Sequence, residues 1–250
     1  MKVIKRRAIV IGANGGIGRA LCKALSEEDD IDEVIAISRS VPLFALDGDN
    51  IHGICCNNST GDIESVLVHL NKVDVIYSHV FICNGVLHGK DFSPEKRIES
   101  IHLSALEQVF SANVYVPILW LRALTSSLFS GLNINNSSFV KVTVLSARVG
   151  SIEDNQLGGW YSYRASKAAL NMMLKTLSIE LSRRAPSVKL IAFHPGTADT
   201  HLSRPFQGNV PEGKLFDVNF VAQRLITVLK NLHPDGLLSY VDWEGKDIPW

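Results

Sequence analysis

Short β-branched runs alternate with longer stretches of helical periodicity along the whole 250-residue chain, and few architectures accommodate such a rhythm. The spacing predicts strands over 8–11, 34–38, 51–56, 80–83, 141–145, 189–193 and 238–241. Between them it predicts helices over 17–26, 63–70, 96–109, 114–128, 163–183 and 219–232. Parallel strands need helical crossovers, and helices on both faces bury the strands between them. The expected fold is therefore α/β, a doubly wound parallel sheet flanked by helices on both faces, with residues 1–250 forming a single domain. With 46% hydrophobic residues, a chain of this length can bury a substantial core.

Directly after the first predicted strand comes "GANGGIG", residues 12–18, which opens into a helix at Ile17. Glycines at 12, 16 and 18 let the backbone turn tightly and approach a pyrophosphate, whose charge a helix N-terminus favours. The placement between first strand and first helix points to a Rossmann-type dinucleotide site. The second strand ends "AISRS", with Ser38 and Arg39 where an acidic residue would accept the ribose hydroxyls of NAD. A guanidinium cannot accept those protons but pairs well with a 2′-phosphate, so NADP(H) is expected over NAD(H). Asn14 can add a hydrogen bond in the same phosphate region.

"YSYRASK", residues 161–167, holds two tyrosines, of which Tyr163 stands four residues before Lys167 and so shares its helical face. Tyr161 lies six residues from Lys167 and faces elsewhere. A phenol is nearly inert as a base at neutral pH, and a close ammonium stabilises the phenolate and lowers its pKa. Upstream, "VTVLSARVG" places Ser146 at the carboxyl edge of the sheet, and "SANVYVP" places Asn113 at the expected start of a helix.

Twenty-five acidic residues balance twenty-five basic ones, which gives no electrostatic reason to expect nucleic acid or an anionic membrane as partner. The basic and then apolar N-terminus reads as a strand entering a turn rather than a signal peptide, and no apolar run approaches the roughly 18 residues of a membrane span. Cys22, Cys55, Cys56 and Cys83 lack CxxC spacing and are expected to be buried, reduced thiols in a cytoplasmic protein, with no metal site. The segment 195–217, "PGTADTHLSRPFQGNVPEGKLFD", is a long connection rich in Pro, Gly, Thr and Asp, and is expected to form a lid.

Taken together, GANGGIG, Asn113, Ser146, Tyr163, Lys167 and "HPGTADT" resemble the short-chain dehydrogenase/reductase family over nearly the whole chain. Within it, "SARVGSIEDNQLGGWYSYRASKAALN", "LSRPFQGNVPEGKLF" and "DWEGKDIPW" look like the C-factor-like branch, named after a bacterial cell-cell signalling protein. The resemblance implies that Tyr163 exchanges a proton with a carbonyl or alcohol oxygen, and that Ser146 hydrogen-bonds that oxygen. It implies that Lys167 holds the nicotinamide ribose, that Asn113 holds a relay water, and that Pro195, Gly196, Thr197 and Thr200 contact the nicotinamide end. The family's Asn-Asn-Ala-Gly segment reads "ICNG" here, so Asn84 replaces a small residue and Gly85 is kept on the adenosine side. Asn57 or Asn58 can stand in for an adenine-contacting aspartate. The implied partner is a small carbonyl or alcohol, and the implied assembly a homodimer or homotetramer, to which Met172 and Met173 can contribute. A signalling protein that keeps the dinucleotide fold is the alternative reading. His194 is expected to be structural, whereas Arg148 and Trp160 serve either substrate or packing.

Overall fold

The structure is a computed structural model and describes residues 5–42, 44, 50–70, 75–129 and 139–250. Its strands are β1 (Lys5–Ile11), β2 (Glu33–Ser38), β3 (Ile51–Cys55), β4 (Val75–Ile82), β5 (Val140–Leu145), β6 (Val188–His194), the short β7 (Thr197–Ala198) and β8 (Leu215–Phe216), and β9 (Ser239–Asp242). Its α-helices are α1 (Gly16–Ser26), α2 (Thr60–Leu70), α3 (Leu103–Phe110), α4 (Val116–Leu124), α5 (Tyr161–Arg184) and α6 (Val218–Lys230). Seven strands make one sheet in the order β3-β2-β1-β4-β5-β6-β9, and every neighbouring pair is parallel. The order reverses between β1 and β4, which opens a crevice at the carboxyl ends of these strands.

Alternation along the strands divides the core into two layers. Ile9 and Ile11 pack with Trp120, Leu170 and Leu174 of α4 and α5, while Ala8 and Val10 pack with Leu21 and Leu25 of α1 and Leu225 of α6. Both faces of the sheet are covered, and β2 and β5 are buried at every position. This is the Rossmann-like, doubly wound sheet that the strand and helix rhythm predicts.

Several boundaries differ from expectation. The strand expected at 80–83 begins at Val75, because Tyr77, Ser78 and His79 interrupt its apolar pattern, and a register shift against Arg7 and Ala8 absorbs an extra residue there. The helix expected over 96–109 is a 3-10 turn at Ile98–Ser100, two extended residues at Ile101 and His102, and then α3. The helix expected from 114 is a continuation of α3 through a π-helical turn, Ser111–Tyr115, into α4. The segment 195–217 is not a plain loop. It carries β7 paired with β8 and a 3-10 turn at Arg204–Asn209, and it ends on Asp217, whose side chain accepts from the first amides of α6. Cys55 is exposed rather than buried, since neighbouring strand residues point to opposite faces and Cys56 takes the core side.

Candidate active site

The connections that leave the sheet at its carboxyl edge include Gly12–Gly15 after β1, residues 83–85 after β4, Ser146 after β5 and Pro195–Gly196 after β6. The glycine turn is built by contact. Gly12 has φ +84°, a left-handed value, and a Cβ there would stand 3.2 Å from the Cys83 carbonyl carbon. A Cβ at Gly18 would lie 2.4 Å from the Gly12 carbonyl oxygen, and one at Gly16 2.9 Å from Thr200 Cγ2. These positions therefore bring β1, α1, residues 83–84 and the start of the 195–217 segment together at close range. No side chain caps the N-terminus of α1, and its first turn carries no acidic residue. An uncapped helix start in a glycine cradle suits a phosphate.

Gly18→Ala tests the cradle directly. Overpacking against the Gly12 carbonyl should cost about 1–3 kcal/mol of stability and weaken nucleotide binding. Gly61→Ala, on α2 with nothing within 4 Å of a new Cβ, should leave both thermal melting and nucleotide titration nearly unchanged.

The other nucleotide-side residues show a mixed picture. Asn14 does not present its Nδ2 to a ligand: that amide donates to Ser40 O at 3.0 Å and to Ser40 Oγ at 2.9 Å, stapling the glycine turn to the residues after β2. Ser38 is buried and donates to Ser40 O at 2.6 Å. Arg39 is exposed, and among the described residues its guanidinium has no hydrogen-bond or ion-pair partner. Ile17 lies half-buried in α1. Asn84 Oδ1, in the connection after β4, is buried and has no hydrogen-bond partner among the described residues. The cradle and this unpaired acceptor fit a dinucleotide.

Across the crevice, α5 begins at Tyr161, two residues earlier than expected. Tyr161 is 39% exposed and Tyr163 only 9%, so the two tyrosines are separated by face as the spacing predicts. Lys167 is buried, with Nζ 5.9 Å from the Tyr163 ring centroid and donating to Leu145 O at 2.8 Å. Burial pushes the Tyr163 phenol well above its ordinary value and brings Lys167 down to about 8. The expectation that Lys167 lowers the Tyr163 pKa is thus overridden in this structure by loss of solvent around both groups. Ser146 follows β5 immediately, its N–H still bonded to Phe193 O at 2.8 Å, and its hydroxyl donates to Asn171 Oδ1 at 2.6 Å.

Asn113 sits inside the π-helical turn rather than at a helix start. Its side chain holds both backbone groups of Val86, accepting from N–H at 2.7 Å and donating to the carbonyl at 2.9 Å, and also donates to Ser166 Oγ. Pro117 stands four residues on and has no N–H to give the Asn113 carbonyl, which is a physical reason for the helix to widen there. A Cβ on Gly85 would be 3.6 Å from Asn113 Oδ1 and 3.9 Å from Lys167 Nζ, so Gly85, Asn113 and Lys167 converge. Gly196 has φ +72° and packs beneath Phe216 and Trp243, while half-buried Pro195 and Thr197 flank it.

Three structural contributors are not visible in the sequence pattern. Glu95 is buried, and its carboxylate accepts from both the Ser162 N–H, at 3.1 Å, and the Ser162 hydroxyl, tying down the first turn of α5. A Cβ on Gly150 would lie 2.7 Å from Lys167 Cβ, so only glycine lets that turn rest on α5. Asn171 holds Ser146, one helical turn beyond Lys167; its polar character in "KAALN" was the available signal.

Tyr163 is walled by Leu87, Ala147, Val149, Trp160, Leu202 and Phe206. Trp160 lies edge-on to Tyr163 at 6.2 Å and against Phe206 at 5.2 Å. Arg148 is tied to Asp242 at 3.0 Å and to Asp154 at 3.6 Å, so it anchors loops, whereas Trp160 lines the space. His194 Nδ1 is buried without a partner among the described residues, and burial with the charge of Arg148 lowers its pKa to about 4, which keeps it neutral.

Residues 6–210 match the short chain dehydrogenase family. The chain belongs to that family. Membership makes it an oxidoreductase with a nicotinamide cofactor. It is 27% identical over 242 residues to 1-hydroxy-2-glutathionyl-2-methyl-3-butene dehydrogenase of Rhodococcus sp. (strain AD45), covering 97% of this chain and 98% of that one. It is 28% identical over 145 residues to C-signal of Myxococcus xanthus, covering 58% of this chain and 78% of the relative, in keeping with the C-factor-like resemblance. Among solved structures, the NADPH-bound carbonyl reductase from chicken fatty liver shares the fold with a TM-score of 0.82 at 23% identity, covering 100% of both chains. No helix among the described residues of this short-chain dehydrogenase is long and apolar enough to cross a membrane.

Proposed function

We propose that this protein is an NADP(H)-dependent oxidoreductase that moves a hydride between the nicotinamide and a small carbonyl or alcohol. The observation that supports the reading is the burial of Tyr163, Lys167 and Ser146 after β5, where Lys167 donates to the Leu145 carbonyl and Tyr163 packs against Ala147, together with an uncapped glycine cradle. Bound cofactor supplies the hydride chemistry. Tyr163 gives its phenolic proton to the substrate oxygen during reduction and takes it back during oxidation. Ser146 hydrogen-bonds the same oxygen. Lys167 holds the nicotinamide ribose and refills the proton on Tyr163, and the Asn113 carbonyl, denied its helical donor by Pro117, holds the water that connects Lys167 to solvent.

Gly12, Gly16, Ile17 and Gly18 form the pyrophosphate turn of this site, with Asn14 and Ser38 shaping the loop beside it. Asn84 and Gly85 serve the adenosine side, and Pro195, Gly196, Thr197 and Thr200 the nicotinamide end. The whole chain works as one unit in which residues 195–217 cover the substrate through Leu202 and Phe206, whose contacts with the wall around Tyr163 support that role. The apolar, aromatic wall suits a substrate with hydrophobic groups on the reacting carbon. A cytoplasmic homodimer or homotetramer belongs to the same reading, supported by exposed Met172, Met173 and Ile179 on α5.

Preference for NADP(H) is assigned to Arg39, which directly follows β2 and whose guanidinium has no partner among the described residues. Arg39→Ala should weaken NADPH binding by about 1.5–3 kcal/mol, the range for a hydrogen bond to a charged group, and leave NADH binding almost unchanged. Equal losses for the two cofactors in a fluorescence titration would remove the assignment. Similarity to C-signal supports a signalling reading with the same fold, but a sensor has no chemical need for a buried Tyr163–Lys167 pair. The deciding experiment follows NADPH absorbance over a panel of aldehydes and ketones, including benzaldehyde, cyclohexanone and benzil. Oxidation that depends on Tyr163 supports the enzyme, and absence of turnover across the panel supports the signalling protein.

A further inference from the structure

Ser146 has a partner to which the roles above assign nothing. Asn171 is buried on α5, and Ser146 Oγ lies 2.6 Å from its Oδ1. That separation is ordinary for O–H···O and short for N–H···O, so the amide oxygen is the atom that faces Ser146. The other end of the amide, Nδ2, is buried and has no hydrogen-bond partner among the described residues, and the Tyr240 hydroxyl is near enough to interact with the Asn171 side chain. Tyr240 has one proton and gives it to Ala147 O at 2.7 Å, so toward Asn171 it offers only lone pairs. An amide nitrogen is favoured on that side, which holds Oδ1 toward Ser146.

We propose that Asn171 is a positioning residue for Ser146: it fixes the Ser146 rotamer and is the resting acceptor of its proton. With the hydroxyl proton turned into α5, Ser146 Oγ presents lone pairs to the space before Tyr163, ready for the O–H of an alcohol. A carbonyl oxygen instead draws the Ser146 proton off Asn171 by rotation about the Cβ–Oγ bond, while Oγ itself stays in place. Tyr240 acts one step further back, by fixing which way the amide points. The inference rests on the proposed role of Ser146 at the reacting oxygen.

The test is a double-mutant cycle of Ser146→Ala and Asn171→Ala, with kcat and KM measured for NADPH-dependent reduction of benzil or of whichever panel carbonyl is reduced fastest. Asn171→Ala should lower kcat roughly tenfold, within the coupling range of side chains in one hydrogen-bonded network, with NADPH affinity held within about twofold. In the Ser146→Ala background it should cost nothing further. A merely structural role for Asn171 would add its loss to that of Ser146→Ala, and additive losses overturn the proposal. Asn171→Ser, still small and polar, runs the same cycle if the alanine variant does not fold. Wild-type kcat in Asn171→Ala beside a disabled Ser146→Ala overturns this inference alone. Wild-type kcat in Ser146→Ala, or no turnover of any carbonyl, overturns the reading of the site and this inference with it.

Discussion

Replacing Tyr163 by phenylalanine is expected to reduce turnover by roughly 10²–10⁴-fold, the contribution typical of a positioned general acid or base. The ring stays, so its packing against Trp160 and the cluster of Leu87 and Ala147 stays too. Only the hydroxyl is lost, and NADPH binding should be retained. Tyr161→Phe is the internal control, because Tyr161 is two residues away on the same helix but faces outward. Its turnover should be close to that of the parent. Steady-state kinetics of the two variants on one accepted carbonyl decide the matter, and retained activity in Tyr163→Phe with loss in Tyr161→Phe would reverse the assignment.

The separation of these tyrosines was legible because it follows from helical geometry alone: four residues bring side chains to one face, and six do not. The same is true of the sheet, where the β-branched and apolar residues of β2, β5 and β6, spaced by helical stretches, point to a doubly covered parallel sheet. What the pattern missed depends on contacts between distant segments. Ser78 and His79 made β4 look shorter than it is, although the ladder with β1 and β5 carries them as strand. Asn113 read as a helix start, whereas α3 runs on through it and accommodates Pro117 by widening one turn. Glu95 lies 67 residues from Ser162, and nothing local marks a carboxylate that will be buried under α5. The electrostatics were the least legible part, since how far a pair such as Tyr163 and Lys167 is removed from water is a property of the closed fold.

That removal makes Lys167 the residue with the most contrasting effects. Burial lowers its pKa from 10.5 to about 8, so the folded protein releases this proton at lower pH than the unfolded chain does. Between these values the unfolded state binds more protons, and stability rises with pH through the window. Below pH 8 the charged form is carried at a penalty of about 3 kcal/mol, since each tenfold weakening of proton binding corresponds to roughly 1.4 kcal/mol. Lys167→Met keeps the aliphatic stem, removes the charge and leaves the Leu145 carbonyl without its donor, a loss of about 1–3 kcal/mol that offsets part of the gain. The net expectation at pH 7 is a melting temperature raised by a few degrees, at about 2–4 °C per kcal/mol for a chain of this length. The advantage should shrink as the pH approaches 10, where the native lysine is already neutral. Activity should move the opposite way: loss of the ribose contact and of the proton source behind Tyr163 should weaken NADPH binding and lower turnover by about 10²-fold or more. Melting curves of both proteins from pH 6 to about 10, beside their kinetics, test the two halves together. A variant that is less stable at pH 7, or a stability difference that ignores pH, would show that Lys167 is not held charged against its burial, and would leave the proposed ribose contact as the sole reason for its place beside Tyr163.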